Sequence, residues 1–388
     1  MKHTPAGKPA HAEFVVIGAG LAGAATAWQL ATAGHDVAIL ERGVPADRAG
    51  SSHGSARIFR YGYANRTYAE MVREARNWWD ELERTAGQTL ITPSGAVDFG
   101  ELRELDTLAR VLDAIEIDHE VLDAGQAQER FPGIQFDGPV LWHAAAGVID
   151  SEVAVSAMVR LAVASGARIL THWPVDSVQQ RSTGYLVHGP RGSFSASNVI
   201  VAAGGWLPSL LPKLDLPARV VGAFPKLTVT QEQAFHFPYQ NPSDVWPALI
   251  EKSHMMRSYG LPGGRDSGYR GLKLAEQFGG KPIGSGERQD GIVDPVKRDR
   301  LVEYVKRRLP GLIPEPYAGS TCLFTMTPTE DFILDRHDRM TVLSPCSSHG
   351  AKFAPLIGHL AANAATASTA SVARESIPVE FLVMPVGA

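Results

Sequence analysis

The sequence predicts an α/β chain, α+β overall, in which a parallel βαβ domain is interleaved with an antiparallel β-rich domain. Three observations carry this. A glycine-rich turn joins an apolar strand to an Ala-rich helix near the start of the chain. Short strands of the same style return near residues 199, where the strand is wholly apolar, and 340. Between 216 and 320, prolines, glycines and alternating side chains replace that pattern and suggest antiparallel strands.

Taken in order, Phe14, Val15, Val16 and Ile17 form a run suited to a buried parallel strand. Gly18, Gly20 and Gly23 come next with G-x-G-x-x-G spacing. Residues 21–33 then read as a helix that stops at Gly34, a left-handed cap. The second strand, 37–40, closes on Glu41. Helical periodicity marks 68–84, with Met71, Ala75, Trp78, Trp79 and Leu82 on one apolar side, the two tryptophans as core. Residues 153–164 form another helix, ended by Ser165 and Gly166. It leads to Ile169 and Leu170 and a hairpin-like stretch over 175–187. Strand 199–203 ends on Gly204, Gly205 and Trp206. Strand 340–344, a glycine turn and an apolar helix from 354 to about 365 complete the first style. The expected dinucleotide domain is therefore discontinuous, 1–88, 147–215 and 321–388. Residues 89–146 and 216–320 are expected to form the substrate domain.

Bulk properties narrow the function. The 388 residues suit two or three domains, 44% of them are hydrophobic, and the formal charge is −4. That balance gives no general pull toward nucleic acid or acidic membrane. No apolar run is long enough to predict a membrane span. Residues 1–12 are polar and lack the hydrophobic centre of a secretory signal. Two cysteines, Cys322 and Cys346, make no disulfide framework, which fits a reducing cytoplasm. Histidine and cysteine spacings show no metal motif, and no G-x-S-x-G elbow occurs.

The glycine turn has its full context: strand before, helix after, acid at the end of the next strand. Gly18 permits the tight turn, Gly20 lets backbone approach a pyrophosphate, and Gly23 allows close helix–sheet packing. The helix N-terminus offers N–H groups and a positive dipole end to phosphate. Glu41 is placed for ribose hydroxyls, with Arg42 beside it. This is a Rossmann-type dinucleotide fingerprint, and by itself it does not choose between FAD and NAD. The residues beyond Glu41 make the choice. Instead of further βαβ units, the chain enters a polar loop over residues 50–60 with few strand signals. Discontinuous construction and the later Ala-Ala-Gly-Gly strand end point to a glutathione-reductase-like flavoprotein, with Val175 and Gly204 among its FAD contacts.

Four motifs in order then make the chain resemble the monomeric sarcosine oxidase and N-methyl-L-tryptophan oxidase family, FAD-dependent amine oxidases of the D-amino-acid-oxidase superfamily. They are the glycine fingerprint; Ser52, His53 and Gly54 with Arg57, Ile58, Phe59 and Arg60; Tyr259 and Gly260 with, farther on, Gly271, Leu272, Lys273 and Leu274; and the run from Cys322 through Pro328 to Asp331, Phe332 and Ile333, then Ser348, His349, Gly350, Ala351, Lys352 and Phe353. The resemblance covers nearly the whole chain. It implies FAD held covalently through Cys322, Lys273 near the flavin N5 speeding reoxidation by oxygen, and Arg60 with Lys352 holding a substrate carboxylate. It makes Tyr259 a wall of the substrate cavity and packs Ser52, His53, Arg57 and Gly350 against the flavin. It also implies a monomer acting on a small amine and O2.

The physical logic agrees. Reduced flavin is anionic, so cations beside it stabilise the product of hydride transfer. A carboxylate needs fixed positive partners, and arginine offers a two-pronged clamp. Read alone, several of these residues have blander explanations. Cys322 could be a structural thiol, as Cys346 is read. Lys273 could snorkel to solvent. His349 could simply shape a turn. Lys352 sits at a helix start, where a cation opposes the dipole, and that conflict points to function.

The departures lie in the substrate shell. Gln277 stands where the family has histidine, Phe324 where it has tyrosine, and the Tyr259–Lys273 connection carries Arg265, Asp266 and Arg270 as extra length. The expected function is therefore oxidation of the C–N bond of an N-methyl, N-alkyl or cyclic amino acid to an imine, with O2 reduced to H2O2. A larger or cyclic substrate, proline- or pipecolate-like, is expected rather than sarcosine. A related dehydrogenase with a non-oxygen acceptor and a silent dinucleotide-binding module are the alternatives.

Overall fold

A computed structural model describes residues 10–383; the chain ends, and with them most of the polar start and both outer ends of the expected dinucleotide domain, lie outside the described residues. Strand Ala10–Ile17 is the centre of the first sheet. It pairs in parallel with Val37–Leu40 on one side and with Gly192–Val201 on the other. Beyond these, Arg168–Leu170 extends one edge and Met340–Ser344 the other, both parallel. Val15, Val16, Ile39 and Ile200 have no exposed surface, which is why these strands read as unbroken apolar runs. Ser177–Arg181 and Gly184–Gly189 form the expected hairpin and pair antiparallel onto Gly192–Val201.

Helix Leu21–Thr32 packs on this sheet between Ser151–Ala164 and Ala354–Thr366. Small residues set the spacing: a Cβ on Gly358 would lie 2.5 Å from the Cβ of Ala25. Asn65 caps the long helix Arg66–Ala86 by accepting the Thr67 N–H, and Gly87 ends it at φ 68°. Its buried stripe is the expected one, except that Trp78 is half-buried and stacks on His359.

The second sheet has nine strands and is antiparallel apart from the pair Ala96–Phe99 and Ala248–Lys252. Thr228–Pro238, Gly271–Glu276 and Arg257–Pro262 are neighbours at its centre. One face carries Phe235, Phe237, Leu272 and Leu274 against helix Pro295–Arg308. Strand alternation then turns Ala234 and Lys273 to the opposite face.

Three features differ from the sequence reading. Helix Pro295–Arg308 lies inside the stretch read as strands; Asp294 caps it, Pro295 starts it, and Leu301, Tyr304 and Val305 are buried. The polar loop after the glycine turn includes a three-residue strand, Arg57–Phe59, which pairs with Gly147–Ile149 and forms a small third sheet with Ile91–Pro93. Strand Ala318–Met326 runs through residue 321 and pairs along its whole length with Thr228–Pro238, so Cys322 is carried by the antiparallel sheet. Among the described residues no helix is long and apolar enough to cross a membrane.

Candidate active site

A cavity of about 680 Å³ lies where the two large sheets meet. Its first end is the glycine turn. Gly18 has φ 102°, and a Cβ there would come within 2.5 Å of the Ala202 carbonyl, so only glycine suits the position. Glu41 grips the turn: its Oε2 accepts the Ala19 N–H at 2.6 Å and its Oε1 accepts the Gly43 N–H at 2.8 Å. Burial pushes the Glu41 carboxyl upward, and these two N–H groups oppose that. The Ser52 hydroxyl accepts the Leu21 N–H at 3.0 Å. Gly20, the N-cap of helix Leu21–Thr32, has no side-chain cap, and Gly20 and Ala22 both face the cavity. The helix start therefore presents backbone N–H groups to any anion lodged there. Arg42 lies over the Trp206 ring at 5.2 Å, and Val175 and Gly204 complete this end.

Farther in, the loop before Arg57–Phe59 folds around its own arginine. Arg57 donates to the carbonyls of Ala56, Ser51 and His53 at 2.8–2.9 Å. All three acceptors are uncharged, so the guanidinium keeps its full charge for the cavity. His53 Nε2 is 3.1 Å from the Thr321 carbonyl, which can only accept, so that nitrogen carries the proton. Burial, then Arg57 and Lys273, push His53 down to about 4, and the ring is neutral near pH 7. Lys273 is 8% exposed and donates to the Ala56 carbonyl at 3.2 Å. Burial and then the Arg57 charge push it down to about 7, with Cys322 and Asp266 acting the other way. Cys322, Tyr259, Gln277 and Phe324 line the same region, and burial raises the Cys322 thiol.

Arg60 and Lys352 flank Tyr63: the Arg60 guanidinium is 5.1 Å from the ring centroid and the Lys352 amine 5.5 Å. Lys352 lies in the turn Gly350–Phe353, just ahead of helix Ala354–Thr366. A Cβ on Gly350 would overlap the Pro345 carbonyl, so the turn requires glycine. Trp79 holds the turn from behind by donating its indole N–H to the Lys352 carbonyl at 2.7 Å.

All the site residues expected from the sequence line this one cavity, with a single exception. Gly23 does not reach it; a Cβ there would lie 2.0 Å from the Gly18 carbonyl, so Gly23 serves helix packing. The sequence reading passed over four contributors. Cys346, read as a core or loop thiol, lines the cavity and accepts the Thr325 N–H at 3.3 Å. Asp266, noted only as extra loop length, hydrogen-bonds the Ser55 hydroxyl and acts electrostatically on Lys273. Tyr63 and Trp79 fix the cations and carry no motif of their own.

FAD fits this arrangement: an anion site of backbone amides and an acid at the first end, and a chamber lined by basic side chains at the other. The fold and site define a flavoprotein oxidoreductase of the dinucleotide-binding class. The chain belongs to the FAD dependent oxidoreductase family, whose model matches residues 13–364. It is 29% identical to the N-methyl-L-tryptophan oxidase of Yersinia pestis (strain Pestoides F) over 362 residues, 90% of this chain and 94% of that one. Its fold is similar to NikD, described as an unusual amino acid oxidase essential for nikkomycin biosynthesis, with TM-score 0.83, 24% identity and coverage of 93% and 95%. L-proline dehydrogenase from P. horikoshii has TM-score 0.78, 18% identity and coverage of 93% and 95%. At such identities these two structures speak for the fold alone.

Proposed function

We propose that this enzyme oxidises the C–N bond of a secondary-amine amino acid to an imine and passes the electrons to O2, giving H2O2. The observation that carries the reading is the set of basic side chains, Arg57, Arg60, Lys273 and Lys352, around one cavity that opens onto the glycine turn. FAD, when bound, supplies the hydride acceptor and the route for two electrons to oxygen. The chain's own residues supply the rest. Arg60 and Lys352 take the substrate carboxylate and fix which face of the α-carbon is presented. Arg57, with only neutral acceptors, stabilises negative charge that develops nearby. Lys273 sits near its titration point at neutral pH and can hold or release a proton beside the reacting atoms. Cys322 is the proposed covalent anchor of the flavin through a thioether.

The substrate is N-alkylated or cyclic and larger than sarcosine. Gln277 and Phe324 support this, since Phe324 adds apolar wall where a hydroxyl is expected. Similarity to an N-methyl-L-tryptophan oxidase is consistent with a bulky side chain. The domain assignment, with the dinucleotide part in three pieces, and a monomeric state belong to the same proposal.

The first test is an absorption spectrum of the purified protein, then acid precipitation. Colour retained in the pellet of the native protein and lost to the supernatant in Cys322→Ser supports the thioether; colour in the native supernatant removes it. Oxygen uptake and peroxide release are then measured with proline, pipecolate, N-methyltryptophan and sarcosine. Reduction of the flavin without oxygen uptake would transfer the reading to a dehydrogenase. Sarcosine turned over much faster than every bulkier amine would overturn the substrate assignment.

A further inference from the structure

Lys352 is only 2% exposed, yet among the described residues its amine has just two hydrogen-bond partners, the Tyr63 hydroxyl at 3.0 Å and the His349 carbonyl at 2.8 Å. Neither is charged. A lysine amine has three tetrahedral positions besides its carbon: three protons when charged, two protons and a lone pair when neutral. The two partners take two protons in either form, because both act as acceptors.

The groups behind Tyr63 make it an acceptor. His349 Nε2 lies 3.1 Å from the Glu330 carbonyl, which accepts only, so Nε2 carries the proton of the neutral ring. His349 is neutral because burial, the largest influence on it, pushes its imidazole far down. Its Nδ1, 3.0 Å from the Tyr63 oxygen, must then accept, and Tyr63 must donate to it. The phenol's only proton is thereby committed, and it cannot donate to Lys352. The lone pair of a neutral Lys352 remains free, and the position it occupies is left to the cavity that Lys352 lines.

The surroundings favour the neutral form in the absence of ligand. Burial, then the like charge of Arg60, push Lys352 well below the ordinary lysine range. The groups packed around it add no counter-charge. Helix Arg66–Ala86 contributes Trp79 and Tyr68, and the Tyr68 hydroxyl is turned to Asp331. Helix Ala354–Thr366 turns its positive end toward the Lys352 turn. The strand side contributes Arg60 and Tyr63. Beyond Arg60, Asp98 is already paired with Arg103 at 2.8 Å.

We propose that Lys352 is the proton acceptor of the carboxylate subsite, neutral in the free enzyme and protonated as a substrate carboxylate docks between it and Arg60, with Tyr63 and His349 as the positioning residues that keep its lone pair open. This rests on the carboxylate reading given above. The proton comes from the substrate's own ammonium group. One N–H bond breaks, its electron pair stays on the substrate nitrogen, and one N–H bond forms at Lys352 Nζ. Total charge is unchanged. The substrate, a zwitterion in water, is left as an amine with a carboxylate. That is the form that can lose hydride from its α-carbon.

The test uses the holoenzyme and propionate, a carboxylate with no ammonium proton to give. Occupancy is read from the flavin absorption band. Proton uptake is read by calorimetry in buffers of different ionisation enthalpy near pH 8. Propionate binding should draw close to one proton from the buffer, and its Kd should rise about tenfold for each pH unit through that window. Lys352→Arg, whose cation stays charged, should bind propionate with no uptake and a flat pH profile. Binding of propionate to the wild type with no uptake overturns the proposal and leaves the carboxylate reading standing. Uptake that persists in Lys352→Arg also overturns it. Failure of propionate, proline and pipecolate alike to bind removes the carboxylate reading, and the proposal with it. Should Lys352→Arg not fold, the wild-type Kd profile decides alone: a flat profile refutes.

Discussion

Replacing Lys273 by methionine removes a buried amine and leaves a side chain of similar length. The structure fixes both the size and the sign of the effect. Lys273 is held at about 7 against an ordinary value of 10.5, first by burial and then by Arg57. A drop of that size corresponds to about 5 kcal/mol for charging the amine inside the fold, taken as an upper limit. Between the two values the unfolded chain binds the extra proton, so this residue makes the native protein more stable as pH rises from about 7 toward 10.5. Below about 7 both states carry the proton and the whole penalty is present. Methionine never bears it. Lys273→Met should therefore be more stable than wild type by several kcal/mol at about pH 6, and the advantage should fade toward about pH 10. The assay is denaturant unfolding of the flavin-loaded proteins, monitored by protein fluorescence, at matched ionic strength. A stability difference that is the same at both pH values would refute the reasoning, because it would mean that Lys273 titrates normally. On the function proposed here, the same variant retains flavin reduction by substrate but loses most of its reaction with oxygen.

Gly23→Ala places a Cβ 2.0 Å from the Gly18 carbonyl, with the backbone on both sides unable to yield. It should cost about 3 kcal/mol, the upper part of the range for overpacking, and the purified variant should carry less flavin per chain. Arg60→Met removes the two-pronged partner of a carboxylate; about 2–3 kcal/mol of charged hydrogen bonding is lost, which raises KM or the propionate Kd roughly 30- to 150-fold with flavin content unchanged. Asp266→Asn removes an acid that acts to raise Lys273. The pH range over which the stability difference between Lys273→Met and its parent changes should then reach to lower pH than in the Asp266 protein, and the difference at its low-pH plateau should be larger; no change in either would show that Asp266 does not reach the lysine.

Much of the fold was legible because its signals are local. Four apolar residues, three glycines at fixed spacing and Glu41 define a strand, a turn, a helix and a second strand without help from distant residues. The same holds for strand Met340–Ser344, which lies where its composition puts it. Helix Pro295–Arg308 was missed although Asp294, Pro295 and the spacing of Leu301, Tyr304 and Val305 signal it; the prolines and glycines around it masked the period. The strand character of Arg57–Phe59 was not readable at all, since three residues of ladder exist only because Gly147–Ile149 lies alongside.

The sequence alone pointed to the class of cofactor and the residue types of the chemistry, since the glycine turn with its flanking strands and the motifs that follow it in order can be read along the chain without the fold. Tertiary structure decided how those residues behave. Pairing of strand Ala318–Met326 with Thr228–Pro238 brings Cys322 to the same chamber as Lys273. Burial moves Lys273 and His53 toward neutrality, and burial is a property of the assembled sheets, which no single segment carries. Tyr63, His349 and Glu330 become one directed chain only when the end of the third-sheet loop meets the turn before the last long helix. Hydrogen-bond direction, charge state and proton position depend on neighbours far away in sequence, and those are fixed by the fold.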